Sequence, residues 1–366
     1  MMYDPYKDLS MLSKIAEIGS EFWIENVPER LLTERDGVYA ISGRTAIDLI
    51  LHDNQKKRPI RSVLMPAWCC DSMLAPFLDR NIDVRFYDVI LGTQITTNEH
   101  ELSIKYSLSS ADLEEGTDIL YLTNYFGYEN TLPLDTVTRY KEQGSIILYD
   151  RTHSFLMDDA EYCALADYSF ASIRKWMGVV GGAVVEGLRD KPSLKDCPYA
   201  PVKEVAMLEK FRFLQGDEQI VKQNFLNAFG EFGHHLAADY RDYEMDALSY
   251  TLFKQEDLSA MKARRLENAA YLHSHLKGVR FLGELTDGAT PLFVPVFFED
   301  KEQRDSIRKH LIENWIYCPF HWPKPQQIPV GFQVNEIYDT ELSLICDQRY
   351  GIAEMERIVK RISEII

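Results

Sequence analysis

The chain has little cysteine. Six occur in 366 residues, and none stand in C-x-x-C spacing. A disulfide framework is therefore not expected, and a reduced, cytoplasmic setting is the default. The adjacent pair Cys69-Cys70 is not metal-ligand spacing, and no H-E-x-x-H string occurs, so no metal site is expected. Long apolar runs are also missing. No stretch reaches about 18 apolar residues, which argues against a membrane span. The first residues, MMYDPYKDLSMLSKIAEIGSEFW, carry acids early and have no apolar h-region, so no secretory signal is expected. Positive charge is short: 40 Lys+Arg against 57 Asp+Glu leaves a net charge of −17. That excess argues against nucleic acid and against an anionic membrane surface as partners. No G-x-G-x-x-G follows a strand, and GVVGGAV leads into a strand and not a helix, which excludes a nicotinamide-binding Rossmann domain. A P-loop string, repeats and low-complexity tracts are missing too.

What remains is a globular chain. Hydrophobic residues make up 46%, enough for a full core. The length suits two domains. Residues 1–35 read as an amphipathic helical segment, with Leu12, Ile15, Ile18 and Phe22 at helical spacing. Short apolar runs then alternate with helical runs: SVLM, VRFYDV, DILYLT, SIILYD, YSFAS and GGAVVEG are the strands. This pattern predicts an α/β fold with a mostly parallel sheet covered on both faces. Residues 36–245 form the expected large domain. Helix is expected from about 202 to 240 and from 256 to 277. PLFVPVFF and two further helical runs then predict a smaller α/β domain over 246–366.

Three features could carry chemistry. Ser42-Gly43-Arg44-Thr45 opens a helix, and free N–H groups there can hold an anion. A plain N-cap and turn would look the same. Asp150 ends the strand SIILYD, where ligands of open α/β sheets sit. Alone it could simply cap the next turn. Lys175 lies between a strand and an apolar turn, where desolvation frees an amine as a nucleophile. A lone Lys is usually a surface residue. Together, an anion cradle, a strand-end Asp and a Lys are what a pyridoxal 5'-phosphate site requires.

At this point the sequence resembles the DegT/StrS-type aminotransferases, of the fold type I pyridoxal-phosphate enzymes. The resemblance runs from about residue 15 to the end. It is carried by EIGSEFW, SGRTAIDLIL, VLMPAWCCDSMLAPFLDRNIDVRFYDV, YLTNYFGY, ILYDRTHSF, ADYSFASIRKWMGVVGGAVV and CDQRYG. It implies a seven-stranded type of sheet in the large domain and a homodimer with shared active sites. Lys175 matches the Schiff-base lysine and Asp150 the carboxylate on the pyridine nitrogen. His153 matches a position near the cofactor's phenolic oxygen. Gly43, Arg44 and Thr45 match the phosphate turn, Ser169 or Ser172 adds a hydroxyl, and Asn124 lies in a segment facing the cofactor. The family stacks an aromatic on the ring from the stretch after the Pro. Here Cys70 aligns with that position, while the aromatic is Trp68. The family's serine stands five residues before the Lys, whereas Ser169 is six and Ser172 three before it. Arg44 adds charge where the family's turn is neutral. The loop CPFHWP borders the active site in the family, which makes His321 and Trp322 substrate-contact candidates, with Arg349 of CDQRYG alongside them.

The activity this implies is ping-pong amino transfer from an amino acid, L-glutamate in most of the family, to a keto-sugar, usually nucleotide-linked. Dehydratases of the family replace the Lys by His, so Lys175 argues against that branch. A lyase or aldolase, and a catalytically degenerate regulatory protein, stay open. Ser172 and Lys175 also form an S-x-x-K string, but the S-D-N and K-T-G partners of acyl-transfer enzymes are missing.

Overall fold

The computed structural model of the protein describes residues 17–93, 101–108, 116–129, 132–286 and 288–366. A short strand β1 (Ile18–Gly19) and an irregular strap lead to β2 (Val38–Ala40) and helix α1 (Gly43–Gln55). Alternation follows: β3 (Ser62–Pro66), α2 (Asp71–Leu78), β4 (Asp83–Thr93), β5 (Glu101–Ser107), β6 (Ile119–Thr123), α3 (Leu134–Glu142) and β7 (Ile146–Asp150). Next come α4 (Ala160–Leu165), β8 (Tyr168–Ala171) and β9 (Ala183–Glu186). The helices α5 (Ala200–Leu214), α6 (Lys222–Ala238), α7 (Ala247–Gln255) and α8 (Leu258–His275) make the long connection. The chain ends with β10 (Arg280–Leu282), β11 (Val294–Phe297), α9 (Lys301–Glu313), β12 (Ile316–Tyr317), α10 (Val334–Thr340), β13 (Glu341–Leu344) and α11 (Ile352–Ser363).

The main sheet runs β13-β11-β10-β5-β4-β3-β6-β7-β8-β9-β2. Strands β4, β3, β6, β7 and β8 are mutually parallel. Strands β9 and β2 close one side antiparallel. These seven strands are the expected mostly parallel sheet. Their continuous apolar runs are buried because helices cover both faces, as in ILYLT of β6, where every residue is buried. The other four strands join through β5, which pairs antiparallel with β4 and parallel with β10. The largest hydrophobic cluster fills the space around the seven strands. A second gathers residues of α8, α9, α11 and the strands β10, β11 and β13.

Two expectations need correction. From residue 17 onward the N-terminal segment is not helical; Leu12 and Ile15 lie outside the described residues. Ile18 pairs in β1 with Ile316 of β12 and is buried in the second cluster, so strand pairing and burial override the helical spacing. The single helix expected over 202–240 is two. Gly216 takes φ +82°, and the Asp217 carboxylate accepts from Gln219 N–H and pairs with Arg212, a turn that ends α5. No helix among the described residues is long and apolar enough to cross a membrane.

Candidate active site

A cavity of ≈220 Å³ opens at the carboxyl ends of the parallel strands. Thr123 ends β6, Asp150 ends β7, Phe170 is the penultimate residue of β8 and Ser172 lies just after it, so strand register brings their side chains to one rim. The N-terminus of α1 faces them. Ser42 caps this helix, its hydroxyl accepting from Thr45 N–H at 3.2 Å. The N–H groups of Gly43 and Arg44, at the first turn, have no intrahelical acceptor. A Cβ at Gly43 would stand 3.3 Å from the Phe170 ring and 3.6 Å from Ser172 Cβ, so glycine keeps this corner open. Thr152 Oγ1 accepts from Ser172 N–H at 3.1 Å and ties the β7 and β8 ends together.

Asp150 is buried, and its carboxylate is held by neutral donors. Tyr121 donates its hydroxyl at 2.7 Å and Thr152 its N–H at 2.8 Å. Among the described residues no cation stands within ion-pair distance of it. Burial raises its pKa, against the opposing pull of the Thr152 and Tyr121 hydrogen bonds and of Lys175. Lys175 sits in a single 3-10 turn, Ile173–Lys175, just after β8. Its amine makes no hydrogen bond or ion pair among the described residues. Burial, then the neighbouring Arg174 charge, draws its pKa down to about 8. His153 accepts at Nδ1 from Phe126 N–H at 3.3 Å, which leaves the ring proton on Nε2. Burial, then Lys175, pushes it down to about 3, so it is a neutral donor. Trp322 lies 5.5 Å from it at a 33° tilt and closes the wall from the C-terminal half.

Of the residues singled out in the sequence, Lys175, Asp150, His153, Gly43, Arg44, Cys70, Ser172 and Trp322 line this cavity. Six others do not. Thr45 turns its hydroxyl to Tyr240 O at 2.7 Å. Ser169 alternates with Phe170 on β8, faces away, and donates to Glu186 at 2.6 Å. Asn124 follows Thr123 and is buried behind it, beside Met157. Trp68 is fully buried, stacked on Tyr125 at 4.5 Å. It donates to His321 O and so backs the loop that presents Trp322. His321 is itself committed: its N–H donates to Glu341 at 2.6 Å and its Nδ1 meets Ser343 Oγ at 2.8 Å. Arg349 is spent on Asp347 at 2.8 Å and lies over the Phe22 ring at 4.0 Å.

Sequence reasoning missed Glu21, Thr152 and Lys203, and also Phe229 and Phe232 of α6, and it reached Arg174 only as a basic residue that could offset the acidic surface for a charged substrate. A signal for Lys203 was present. The buried stripe of α5 is Ala200, Lys203, Ala206, Met207, Lys210 and Leu214, helical spacing with two lysines on the apolar face. Arg349 N–H groups and Lys210 Nζ donate to the carbonyls of Ser20 or Glu21 and pin the strap, which carries the Glu21 side chain to the cavity. Its carboxylate pairs with Lys203 at 3.5 Å. The Lys203 charge, more than any other, holds it down to about 2.

No family model and no curated protein matches the chain. Solved structures do. A DegT DnrJ EryC1 StrS aminotransferase from Brucella abortus is 15% identical, with a TM-score of 0.57, covering 89% of this chain and 85% of that one. NtdA from Bacillus subtilis, solved with bound cofactor PMP, is 16% identical, with a TM-score of 0.56, covering 90% of this chain and 72% of that one. DesI, solved in the presence of its TDP-sugar product, is 14% identical, with a TM-score of 0.59, covering 91% of this chain and 81% of that one. The chain has the fold of these aminotransferases, the fold type I architecture.

Proposed function

We propose that the protein is a pyridoxal-phosphate-dependent aminotransferase acting on a keto-sugar. One observation carries this reading. Among the described residues, an amine without a partner, Lys175, and a buried carboxylate held only by neutral donors, Asp150, share one cavity with an open helix N-terminus. Each is costly to the fold when left alone. Each is complemented by one part of the same cofactor.

The residues fit that group. The Gly43 and Arg44 N–H groups and the Ser172 hydroxyl would hold the phosphate. Asp150 would hold a proton on the ring nitrogen, its own two neutral donors leaving its negative charge for that task. His153 would donate from Nε2 to the ring's phenolic oxygen. When bound, pyridoxal phosphate supplies an electrophilic carbon and a ring that accepts electrons. Lys175, neutral in part near pH 8, would hold that carbon when no substrate is present. Once displaced by the donor's amine, its Nζ would take the proton from the donor's α-carbon as general base. The aromatic wall of buried Phe170 and Phe232 and half-buried Trp322 would exclude water from that proton.

The finer reading follows the neighbours and the family resemblance. For the acceptor, a nucleotide-linked sugar, the support is DesI, solved with its TDP-sugar product; L-glutamate as donor and a homodimer that completes the site follow only from the family resemblance. The test is the visible absorption of the protein after loading with pyridoxal phosphate. A band should form and bleach on adding L-glutamate, with one 2-oxoglutarate released per site. Lys175→Ala should form no such band. Protein that stays colourless with added cofactor overturns the reading.

A further inference from the structure

Arg174 has no role in the chemistry above. Its side chain lines the cavity and makes no hydrogen bond or ion pair among the described residues. Its Nε is fully buried without an acceptor. A guanidinium carries five donors in a planar fork, and leaving them unmet out of water is costly. Lys203 lines the same cavity and feels the Arg174 charge; it is almost fully buried at 4% exposure, and its only ion-pair partner among the described residues is Glu21. Glu21 itself is half exposed, 51% of its side chain being accessible. In this corner of the cavity Arg174 and Lys203 have one acid between them, so positive charge is left over.

We propose that Arg174 and Lys203 form a carboxylate subsite for the amino- or keto-acid substrate, and that Glu21 is its built-in counter-ion in the free protein. The inference rests on the aminotransferase reading in taking a carboxylate as the ligand. The geometry of the reaction supports the placement. In an α-amino acid the carboxylate is one bond from the carbon that exchanges its amine. The cation that reads it must therefore lie close to the amine that handles that carbon. Arg174 precedes Lys175 in the chain, and after burial its charge is the largest influence on that amine. The excess of positive charge suits an anion, and the guanidinium fork suits bidentate pairing with a carboxylate. Arg349, a substrate-contact candidate by the family resemblance, is spent on Asp347.

Succinate, which has the carboxylates but no amine to react, is the probe. It is titrated calorimetrically into the cofactor-loaded protein. Wild type should bind it, and Arg174→Gln should weaken binding at least tenfold. Glu21→Gln should tighten it severalfold, because the competing carboxylate is gone. Opposite signs in two variants cannot come from misfolding. Equal affinity in wild type and Arg174→Gln overturns the proposal. So does succinate that binds the cofactor-free protein and is expelled by pyridoxal phosphate, since Arg174 would then belong to the cofactor's phosphate. If the protein takes up no cofactor, the aminotransferase reading fails by itself. The same titration on the purified protein then decides the subsite: loss in Arg174→Gln sustains an anion site, and no loss removes it.

Discussion

At the residue scale, the site is built from side chains whose ionisation the fold opposes. Lys175 shows the sign most clearly. Its pKa in the fold is about 8, below its ordinary value of 10.5. The charged form is therefore penalised in the folded state. That penalty is complete below pH 8 and disappears as pH rises through 10.5. Lys175→Met should raise the melting temperature at pH 7 by about 2 °C, on the order of 1 kcal/mol, with no gain at pH 11. Thermal melts at the two pH values check this; a loss of stability at pH 7 would show that the amine has a partner. The same shift predicts that acylation of Lys175, followed by mass spectrometry, reaches half its maximal rate near pH 8, while exposed lysines lag toward about 10.4. That Lys175, Asp150 and Gly43 share one cavity was readable in the sequence because each sits at a strand end or helix start, which local patterning locates well. Arg174 was legible only as a basic residue, because nothing local tells a guanidinium with a buried Nε from a solvated one.

At the scale of elements, the N-terminal strap and helix α5 work as one unit. Glu17 is buried at 3% side-chain exposure. It pairs with Lys210 at 3.3 Å and Lys222 at 2.6 Å, so one acid joins the strap to α5 and α6. Burial draws Lys210 down to about 8, with Glu17 opposing. Removing the acid leaves a buried ammonium unmatched. Glu17→Gln should cost about 3–5 kcal/mol by denaturant unfolding. A cost under about 1 kcal/mol would mean that water reaches both lysines. The strap also shows why the sequence reading failed there. Ile18 and Phe22 stand at helical spacing, yet Ile18 is fixed by pairing with Ile316, and the strap carbonyls are bound by Arg349 and Lys210. Partners that distant in the chain leave no trace in a local period. The stripe of α5 was visible, but two lysines on an apolar face look like surface residues unless one asks what lies opposite.

At the scale of the molecule, charge and topology both separate the whole from the site. A net charge of −17 says nothing about the cavity, where Arg44, Arg174, Lys175 and Lys203 face Glu21 and Asp150. The seven-stranded sheet was legible from alternating runs. Its extension to eleven strands was not, because β5 and β10 meet only through tertiary pairing. That extension matters for the cavity, since Trp322 comes from the C-terminal half and all the other wall residues from the first 236. Trp322 packs against the largest hydrophobic cluster, and its loop is tied to β13 by the His321 bonds to Glu341 and Ser343, so a ligand there should stabilise the sheet and its C-terminal extension together. Pyridoxal phosphate at about 100 times its dissociation constant should add about 2.7 kcal/mol to unfolding. The melting midpoint should rise by several degrees in a single transition. Inorganic phosphate, which can engage only the α1 N-terminus and Ser172, should give a smaller rise. Differential scanning calorimetry with each compound separates the cases. Equal rises would mean that Asp150, His153 and Lys175 add nothing to ligand affinity, and that the cavity recognises an anion and nothing more.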